Sequence, residues 1–174
     1  MHVDKWIWGK EIVLTDLCTP FTVKILMPKK GIKGALSLQS HSSKIEYWAV
    51  LSGHGIAQFI VNDQLFSVFI KTGMVFKISP KVIHRLASID NLKVFEASTL
   101  DKHSIDKSSP KDVVRFQCFH GRDCVVPESE KLKSLIDKSV EELCEMIHRR
   151  EITQKKSLLA RLKKLQIYLG DWHN

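Results

Sequence analysis

Long hydrophobic runs are missing from this sequence. The N-terminal stretch MHVDKWIWGKEIVL carries Asp4, Lys10 and Glu11 among its apolar residues, so it lacks the uninterrupted apolar core of a secretory signal peptide. No segment approaches the roughly 20 apolar residues that a membrane-spanning helix needs. We therefore expect a soluble, cytoplasmic protein that has no membrane partner.

Cysteine is sparse and scattered. Its four residues, Cys18, Cys118, Cys124 and Cys144, form no C-x-x-C pair. This spacing argues against a zinc knuckle and a disulfide framework, so we expect reduced, mostly structural thiols. Internal repeats and low-complexity tracts are also absent. A chain of 174 residues, 44% of them hydrophobic, can bury one sizeable core, and we expect one domain with an appendage.

Acidic residues are outnumbered by basic ones, and the formal net charge is +8 at pH 7. A basic protein attracts anions such as nucleic acid, acidic membranes or phosphorylated metabolites. Much of the charge falls near the C-terminus, at Arg149, Arg150, Lys155, Lys156, Arg161, Lys163 and Lys164. Such a run is typical of the solvated face of a helix, and no helix-turn-helix junction or aromatic platform accompanies it. We therefore expect no nucleic-acid partner.

Short β-rich segments separated by turn residues occupy most of the chain before residue 126. They read EIVLT, FTVKILM, GALSLQS, EYWAVL, GIAQFIV, LFSVFI, MVFKIS, VIHRLAS and LKVFEAS. Many short strands at close spacing predict a sandwich or barrel, so the fold class is mainly β. Residues 1–126 form this β domain, and residues 127–174 form an extension of a different kind.

The extension has the period of an α-helix. Its apolar positions are Ile136, Val140, Leu143 and Ile147, followed by Leu158, Leu162, Leu165 and Leu169. We predict two amphipathic helices that begin after Pro127, break around Thr153 and end at Gly170. The extension either serves assembly, with a homodimer possible, or covers one barrel sheet through Leu158, Leu162 and Leu165.

A polar cluster stands out within the β domain. If GALSLQSH is a strand, its period of two places Leu36 and Leu38 on one face and Gln39 and His41 on the other. The following SSK indicates a turn, and a hairpin there would bring Glu46 opposite His41.

His84 on a later strand could complete a set of four ligands with Gln39, His41 and Glu46. Imidazole nitrogens with carboxylate and amide oxygens suit zinc, manganese, iron or nickel. The spacing alone leaves an alternative open, in which these histidines are hydrogen-bonded strand residues.

The same residues resemble the first motif of the cupin superfamily, a ligand, a spacer, a histidine, a glutamate and a later glycine. Gln39, His41, Glu46 and Gly53 fill these positions. The second cupin motif is matched in part, by Gly73 and His84, whereas Ser79 and Lys81 stand where the family usually has its proline and glycine.

Within cupins, the chain is most similar to the C-terminal domain of the type II mannose-6-phosphate isomerases. The shared segments, in order, are WGKE, VKIL, LSLQSH, EYW, IHRL, VVRF and HGR. This resemblance implies a cupin-type jelly-roll barrel with a C-terminal helical extension. It also implies a divalent metal, zinc before manganese, iron or nickel, held by Gln39, His41, Glu46 and His84.

The resemblance further implies isomerisation of mannose 6-phosphate to fructose 6-phosphate through an enediolate that the metal stabilises. The phosphate needs cationic anchors, for which arginine is geometrically favoured. Arg115 and Arg122 match family arginines and are the first candidates, with Lys24 and Arg85 behind them.

Two departures from the family concern catalysis. Lys44 and Tyr47 stand where the isomerases carry an arginine and a histidine, and we take both as candidate catalytic residues. Lysine can still act as an acid or an electrostatic anchor, whereas tyrosine, with a pKa near 10, is a poor proton shuttle at neutral pH. A non-catalytic or differently specialised cupin that binds a sugar phosphate or a nucleotide sugar is therefore the alternative. Dioxygenase-type chemistry ranks lower, because Gln39 replaces the histidine usual in those enzymes.

Overall fold

The chain folds mainly into antiparallel strands, as the sequence predicts. The structure is a computed structural model that describes residues 1–16 and 18–170, and the side chains of these except Ser104 and residues 151–170. The described strands are β1 (His2–Trp6), β2 (Gly9–Val13), β3 (Phe21–Pro28), β4 (Leu38–Ser40), β5 (Glu46–Val61), β6 (Gln64–Lys71), β7 (Val75–Ile78), β8 (Ile83–Thr99) and β9 (Val114–Gln117). The described helices are α1 (Lys102–Ile105) and α2 (Glu130–Gly170), with a 3-10 turn at Ile32–Gly34.

The sheet curls around β8. One edge of β8 pairs with β3 and β4, and the other edge pairs with β5 from Glu46 opposite Ser98 to Ile60 opposite Ile83. The first branch runs in the order β1-β2-β3-β8-β4-β9, while β6 and β7 extend the side of β5. Because twisted strands this long cannot lie flat, the sheet closes into an antiparallel half-barrel.

Two pairs of predicted strands are joined into the long strands β5 and β8. EYWAVL and GIAQFIV are the two halves of β5, which bends through register shifts between Val50 and Gly55. Gly53 has a φ of 76°, and a Cβ there would lie 2.3 Å from the carbonyl oxygen of Asp90, so only glycine fits this bend. The ladder therefore continues through a bulge where the sequence pattern indicated a turn.

An apolar cluster fills one part of the half-barrel. Its buried members include Trp8, Leu26, Trp48, Leu86 and Val94. Trp8 and Leu26 also line the cavity described below, so the cavity rests on this cluster.

Helix α2 covers the outer face of the sheet. Ile136 packs with Leu38 and Ile83, and Leu143 packs with Ile56 and other buried residues nearby. The Ser129 hydroxyl accepts a hydrogen bond from the backbone N–H of Leu132 at 3.1 Å and thereby caps the helix start. With Ile147 also in the buried cluster, the helix is packed against the barrel through its first five turns.

The two helices predicted for the extension form one. The backbone is helical from Glu130 to Gly170, without the break predicted around Thr153. The segment EIT contains no proline or glycine, and β-branched residues cost a helix only a few tenths of a kcal/mol. The side chains of Leu158, Leu162 and Leu165 lie outside the described residues, and Ile136, Leu143 and Ile147 make the contacts with the sheet. Neither described helix has the length and apolar character of a membrane span.

Candidate metal centre and cavity

The four predicted metal ligands converge from three strands. Gln39 in β4 lies directly opposite His84 in β8, His41 follows β4, and Glu46 opens β5. The predicted hairpin is wrong, because β4 pairs with β8 and β9 and not with β5. The turn between β4 and β5 nevertheless brings His41 and Glu46 together, although the two strands do not pair with each other.

The ligand atoms are close enough to share one ion. Glu46 Oε1 lies 3.5 Å from His41 Nε2, and Glu46 Oε2 lies 3.0 Å from His84 Nε2. Gln39 Nε2 lies 3.4 Å from His41 Nε2. An ion about 2.1 Å from each donor would produce donor separations of roughly 3.0 to 3.4 Å. His41, Glu46 and His84 are all buried, and their donor atoms lie within 4.8 Å of one another.

Both histidines are held in the tautomer that a metal requires. Nδ1 of His84 donates to the carbonyl oxygen of Val82 at 3.0 Å, and Nδ1 of His41 donates to that of Asp112. Because a carbonyl oxygen only accepts, the proton is on Nδ1 and the lone pair of Nε2 faces the cluster. Burial and the charge of Lys44 lower the pKa of His41 to about 4, so it is neutral at pH 7.

Two atoms of the cluster are left without hydrogen bonds among the described residues. They are Glu46 Oε2 and His84 Nε2, both buried acceptors that face each other. A buried polar atom without a partner costs about 1–3 kcal/mol, and a divalent cation between these two would satisfy both. A 180° flip of the Gln39 side-chain amide would turn its oxygen toward the cluster and add a fourth metal ligand. The donor set therefore fits zinc, manganese, iron or nickel.

Lys44 lies beside this cluster and is 5% exposed. Its Nζ bonds Glu46 Oε1 at 2.5 Å and lies 3.5 Å from Glu96 Oε1 and 3.7 Å from Asp101 Oδ2. Burial opposes the charge, but Glu96 and the other carboxylates outweigh it and raise the pKa of Lys44. Burial likewise opposes the ionised form of Glu46, and the charge of Lys44 lowers its pKa. Both residues are thus ionised at pH 7.

Lys24 also lines the cavity, but carboxylates surround its ammonium group. Asp101 Oδ2 lies 3.3 Å from Nζ, Glu11 Oε2 lies 3.9 Å from it and Glu96 Oε1 lies 4.0 Å from it. A phosphate there would be repelled by three acids, so the prediction that Lys24 anchors phosphate is not supported by its position.

Sequence reasoning missed those three acids. For Glu96 a signal was present, because it shares the inward face of β8 with Val94 and Ser98, and all three are buried. Glu11 is likewise a buried residue of β2. Asp101 carries no such signal, since it follows the end of β8.

Arg115 and Arg122 line the less buried part of the same cavity, whose volume is about 360 Å³. Nη2 of Arg122 donates to the Ser37 hydroxyl at 2.7 Å, while Nε of Arg115 has no hydrogen-bond partner among the described residues. Burial and the neighbouring charge of Arg122 lower the pKa of Arg115. Two adjacent guanidinium groups of this kind form a suitable site for an anion.

Arg85 and Tyr47 do not reach the cavity. Because His84 and Glu46 point inward, the next residue of each strand points outward. Arg85 is buried between the sheet and α2, where it donates to Gln117 at 2.6 Å and to Ser139 at 2.8 Å. Tyr47 is 48% exposed on the outside of β5. Their predicted roles in binding and catalysis are therefore not supported by their positions.

Comparison with known proteins identifies the fold only. No protein-family model and no curated protein matches the sequence. The structure is similar to the capsular polysaccharide assembling protein CapF from Staphylococcus aureus, with a TM-score of 0.54 and 16% identity over 67% of this chain and 32% of that one. CapF with the inhibitor 3-isopropenyl-tropolone gives 0.52 and 18% identity over 67% and 34%. The chain thus spans about a third of these proteins, and its fold is of the cupin type.

Proposed function

We propose that this protein is a metal-dependent aldose–ketose isomerase that acts on a hexose 6-phosphate, interconverting mannose 6-phosphate and fructose 6-phosphate. The observation that supports it is one cavity that His41 and Glu46 of the metal cluster line together with Arg115 and Arg122. The fold alone does not decide this, since cupin-type barrels host many functions. The conclusion comes from the residues of the site.

The distribution of charge favours a ligand with one neutral and one anionic end. Buried carboxylates, of Glu46 and Glu96, face the inner part of the cavity and can accept hydrogen bonds from sugar hydroxyls. The partly exposed guanidinium groups of Arg115 and Arg122 suit a phosphate. A sugar phosphate bound with its hydroxyls inward satisfies both ends.

The size of the cavity favours a single sugar phosphate over a nucleotide sugar. Its volume of about 360 Å³ is near the lower end of the ~300–1,000 Å³ range of ligand pockets. A nucleotide would have to extend outside it.

The residues of the chain then have separate tasks. Arg115 and Arg122 hold the phosphate and thereby orient the sugar. A metal bound by Gln39, His41, Glu46 and His84 would act as a Lewis acid that stabilises negative oxygens of the enediolate. The ammonium of Lys44 keeps Glu46 ionised and adds positive charge beside the reacting oxygens.

A second function, ligand binding without turnover, is favoured by one specific contact. Lys44 Nζ already bonds one carboxylate oxygen of Glu46, and its charge opposes a divalent cation. In this alternative the ammonium replaces the ion, and the cavity binds a sugar phosphate without isomerising it.

Turnover by metal-loaded protein tests the proposal. We expect mannose 6-phosphate and fructose 6-phosphate to interconvert, and Glu46→Gln to reduce kcat at least 100-fold. Tyr47→Phe is the matched control, because this neighbouring residue lies outside the cavity, and it should keep its activity. Absence of turnover in protein that contains one metal ion per chain and binds the sugar phosphate would establish the binding function instead.

A further inference from the structure

Glu96 is a deeply buried acid that has no part in the catalytic tasks described above. It lies on β8, opposite Lys24 of β3 on one side and Trp48 of β5 on the other. It lines the cavity, yet its exposed fraction is 5%. Its Oε1 accepts no hydrogen bond from any described residue. A buried carboxylate oxygen that accepts no hydrogen bond is costly to the fold, which points to a role toward a ligand.

The position of Glu96 differs from those of the other cavity acids. Glu46 belongs to the metal cluster, and Glu11 approaches Lys24 at 3.9 Å. Glu96 Oε1 lies between two ammonium groups, 3.5 Å from Lys44 and 4.0 Å from Lys24. Because Lys44 also bonds Glu46, Oε1 of Glu96 lies next to the place where the metal cluster would hold a sugar.

The surroundings of Glu96 also favour the uptake of a proton. Burial has the largest effect, and it raises the pKa of Glu96 against the opposing charges of Lys44 and Lys24. A base is most effective when its pKa is close to the working pH.

We propose that Glu96 is the catalytic base that carries the hydrogen between C1 and C2 of the sugar phosphate, an inference that rests on the proposed isomerase function. The carboxylate of Glu96 removes the proton from C2, and the electron pair of that bond forms the C1–C2 double bond while the carbonyl pair moves to O1. The hydroxyl proton of O2 passes to O1 within the enediolate, and the ammonium of Lys44 stays charged beside both oxygens. The C2 carbonyl then forms, and C1 receives the proton back from the carboxyl group of Glu96. No oxidant or reductant is needed.

The test is Glu96→Gln in the metal-loaded protein, since the amide keeps the size of the side chain but cannot take the proton. We expect kcat to fall by 10²–10⁴-fold, with the metal content unchanged and KM within about threefold. In D₂O, the wild type should incorporate deuterium into the recovered sugar phosphate at C2, and Glu96→Gln should not. Glu11→Gln is the matched control, because Glu11 is a similarly buried neighbour of Lys24, and we expect a loss below tenfold.

The outcomes separate the two proposals. A wild type that turns over, with a Glu96→Gln variant that exchanges deuterium equally fast, overturns the role of Glu96 alone. Equal losses in Glu96→Gln and Glu11→Gln overturn it too, because they indicate a general effect of the buried charges. A metal-loaded wild type that neither turns over nor exchanges overturns the isomerase function and this inference together. If Glu96→Gln does not fold, Glu96→Asp replaces it in the test. We expect Glu96→Asp to slow the deuterium exchange at least tenfold without abolishing it. Exchange by Glu96→Asp at the wild-type rate overturns the inference.

Discussion

Lys44 and Glu46 form a buried ion pair in which Nζ bonds one carboxylate oxygen while the other oxygen faces Nε2 of His84 at 3.0 Å. The two oxygens of Glu46 therefore have different neighbours: Oε1 lies near both the Lys44 ammonium and Nε2 of His41, and Oε2 faces Nε2 of His84. Because Lys44 bonds only Oε1, Oε2 of Glu46 stays available to a metal ion. It also makes Lys44 a competitor of any bound cation.

Removal of the Lys44 charge should increase metal affinity. We expect Lys44→Met to bind zinc at least about tenfold more tightly than the wild type, which corresponds to ~1.4 kcal/mol, because a positive charge beside the cluster is lost. Competition with a chelator measures this. Lys24→Met is the control, since Lys24 lies among Asp101, Glu11 and Glu96. Unchanged or weaker zinc binding by Lys44→Met would show that the ammonium does not oppose the ion.

The two cavity arginines should bind phosphate together. We expect Arg115→Met and Arg122→Met each to weaken the affinity for inorganic phosphate at least tenfold, because a charge-assisted hydrogen bond is lost. Isothermal titration calorimetry measures this, with the exposed Lys77→Met, on the outside of the sheet, as the control. Equal affinities for the wild type and both variants would contradict the phosphate site.

Cys118 should be the most reactive of the described thiols near neutral pH. Burial opposes its ionisation, but hydrogen bonds from Ser37 and Arg122 outweigh it and lower the pKa of Cys118 to about 7. The thiolate is the reactive form, so alkylation should rise with pH and reach half of its maximum rate near pH 7. Peptide mass spectrometry after brief iodoacetamide treatment measures this for each cysteine. The pKa of Cys124 is raised by burial and by Cys118, so faster labelling of Cys124 at pH 7 would contradict the assignment.

Arg85 should destabilise the fold through its buried charge. It is 1% exposed without a carboxylate partner among the described residues, and burial lowers its pKa to about 10. The guanidinium is still charged at pH 7, so the cost is present throughout the neutral range. Arg85→Met should therefore raise the free energy of unfolding by about 1–2 kcal/mol, within the range for replacement of buried ion pairs by apolar residues. Ser139 keeps its bond to the Ile136 carbonyl oxygen at 2.6 Å.

Urea denaturation measures this change. A loss of more than 1 kcal/mol in Arg85→Met would show that the bonds to Gln117 and Ser139 outweigh the cost of the charge. Arg85→Lys serves as the control, because it keeps the charge and should not be more stable than the wild type.

The choice of a metal site over hydrogen-bonded histidines came from family resemblance. Strand period only placed the predicted ligands on common faces. It places Gln39 with His41, and Glu46 with Trp48, and all four surround or support the cluster. The same period also excludes Arg85 and Tyr47, since each follows an inward residue of its strand. Their assignment came from family resemblance and from arginine chemistry, neither of which says which face a residue occupies.

Contacts between distant strands could not be predicted from spacing. Lys24 lies opposite Glu96 only because β3 pairs with β8 in one register, and Asp101 reaches Lys24 from beyond the end of β8. From the sequence alone Lys24 looks available to a phosphate, whereas in the fold three acids surround it. The continuity of α2 past Thr153 could not be predicted either, because the sequence there has no strong helix breaker from which to judge where a helix ends.

The central claim is that Gln39, His41, Glu46 and His84 hold one divalent ion. Anomalous diffraction from crystals of the zinc-supplemented protein, collected on both sides of the zinc absorption edge, tests it most directly. We predict one anomalous peak within about 2.3 Å of Nε2 of His41, Nε2 of His84 and Oε2 of Glu46. A map without a peak there, with the Lys44 ammonium still bonded to Glu46, would contradict the claim.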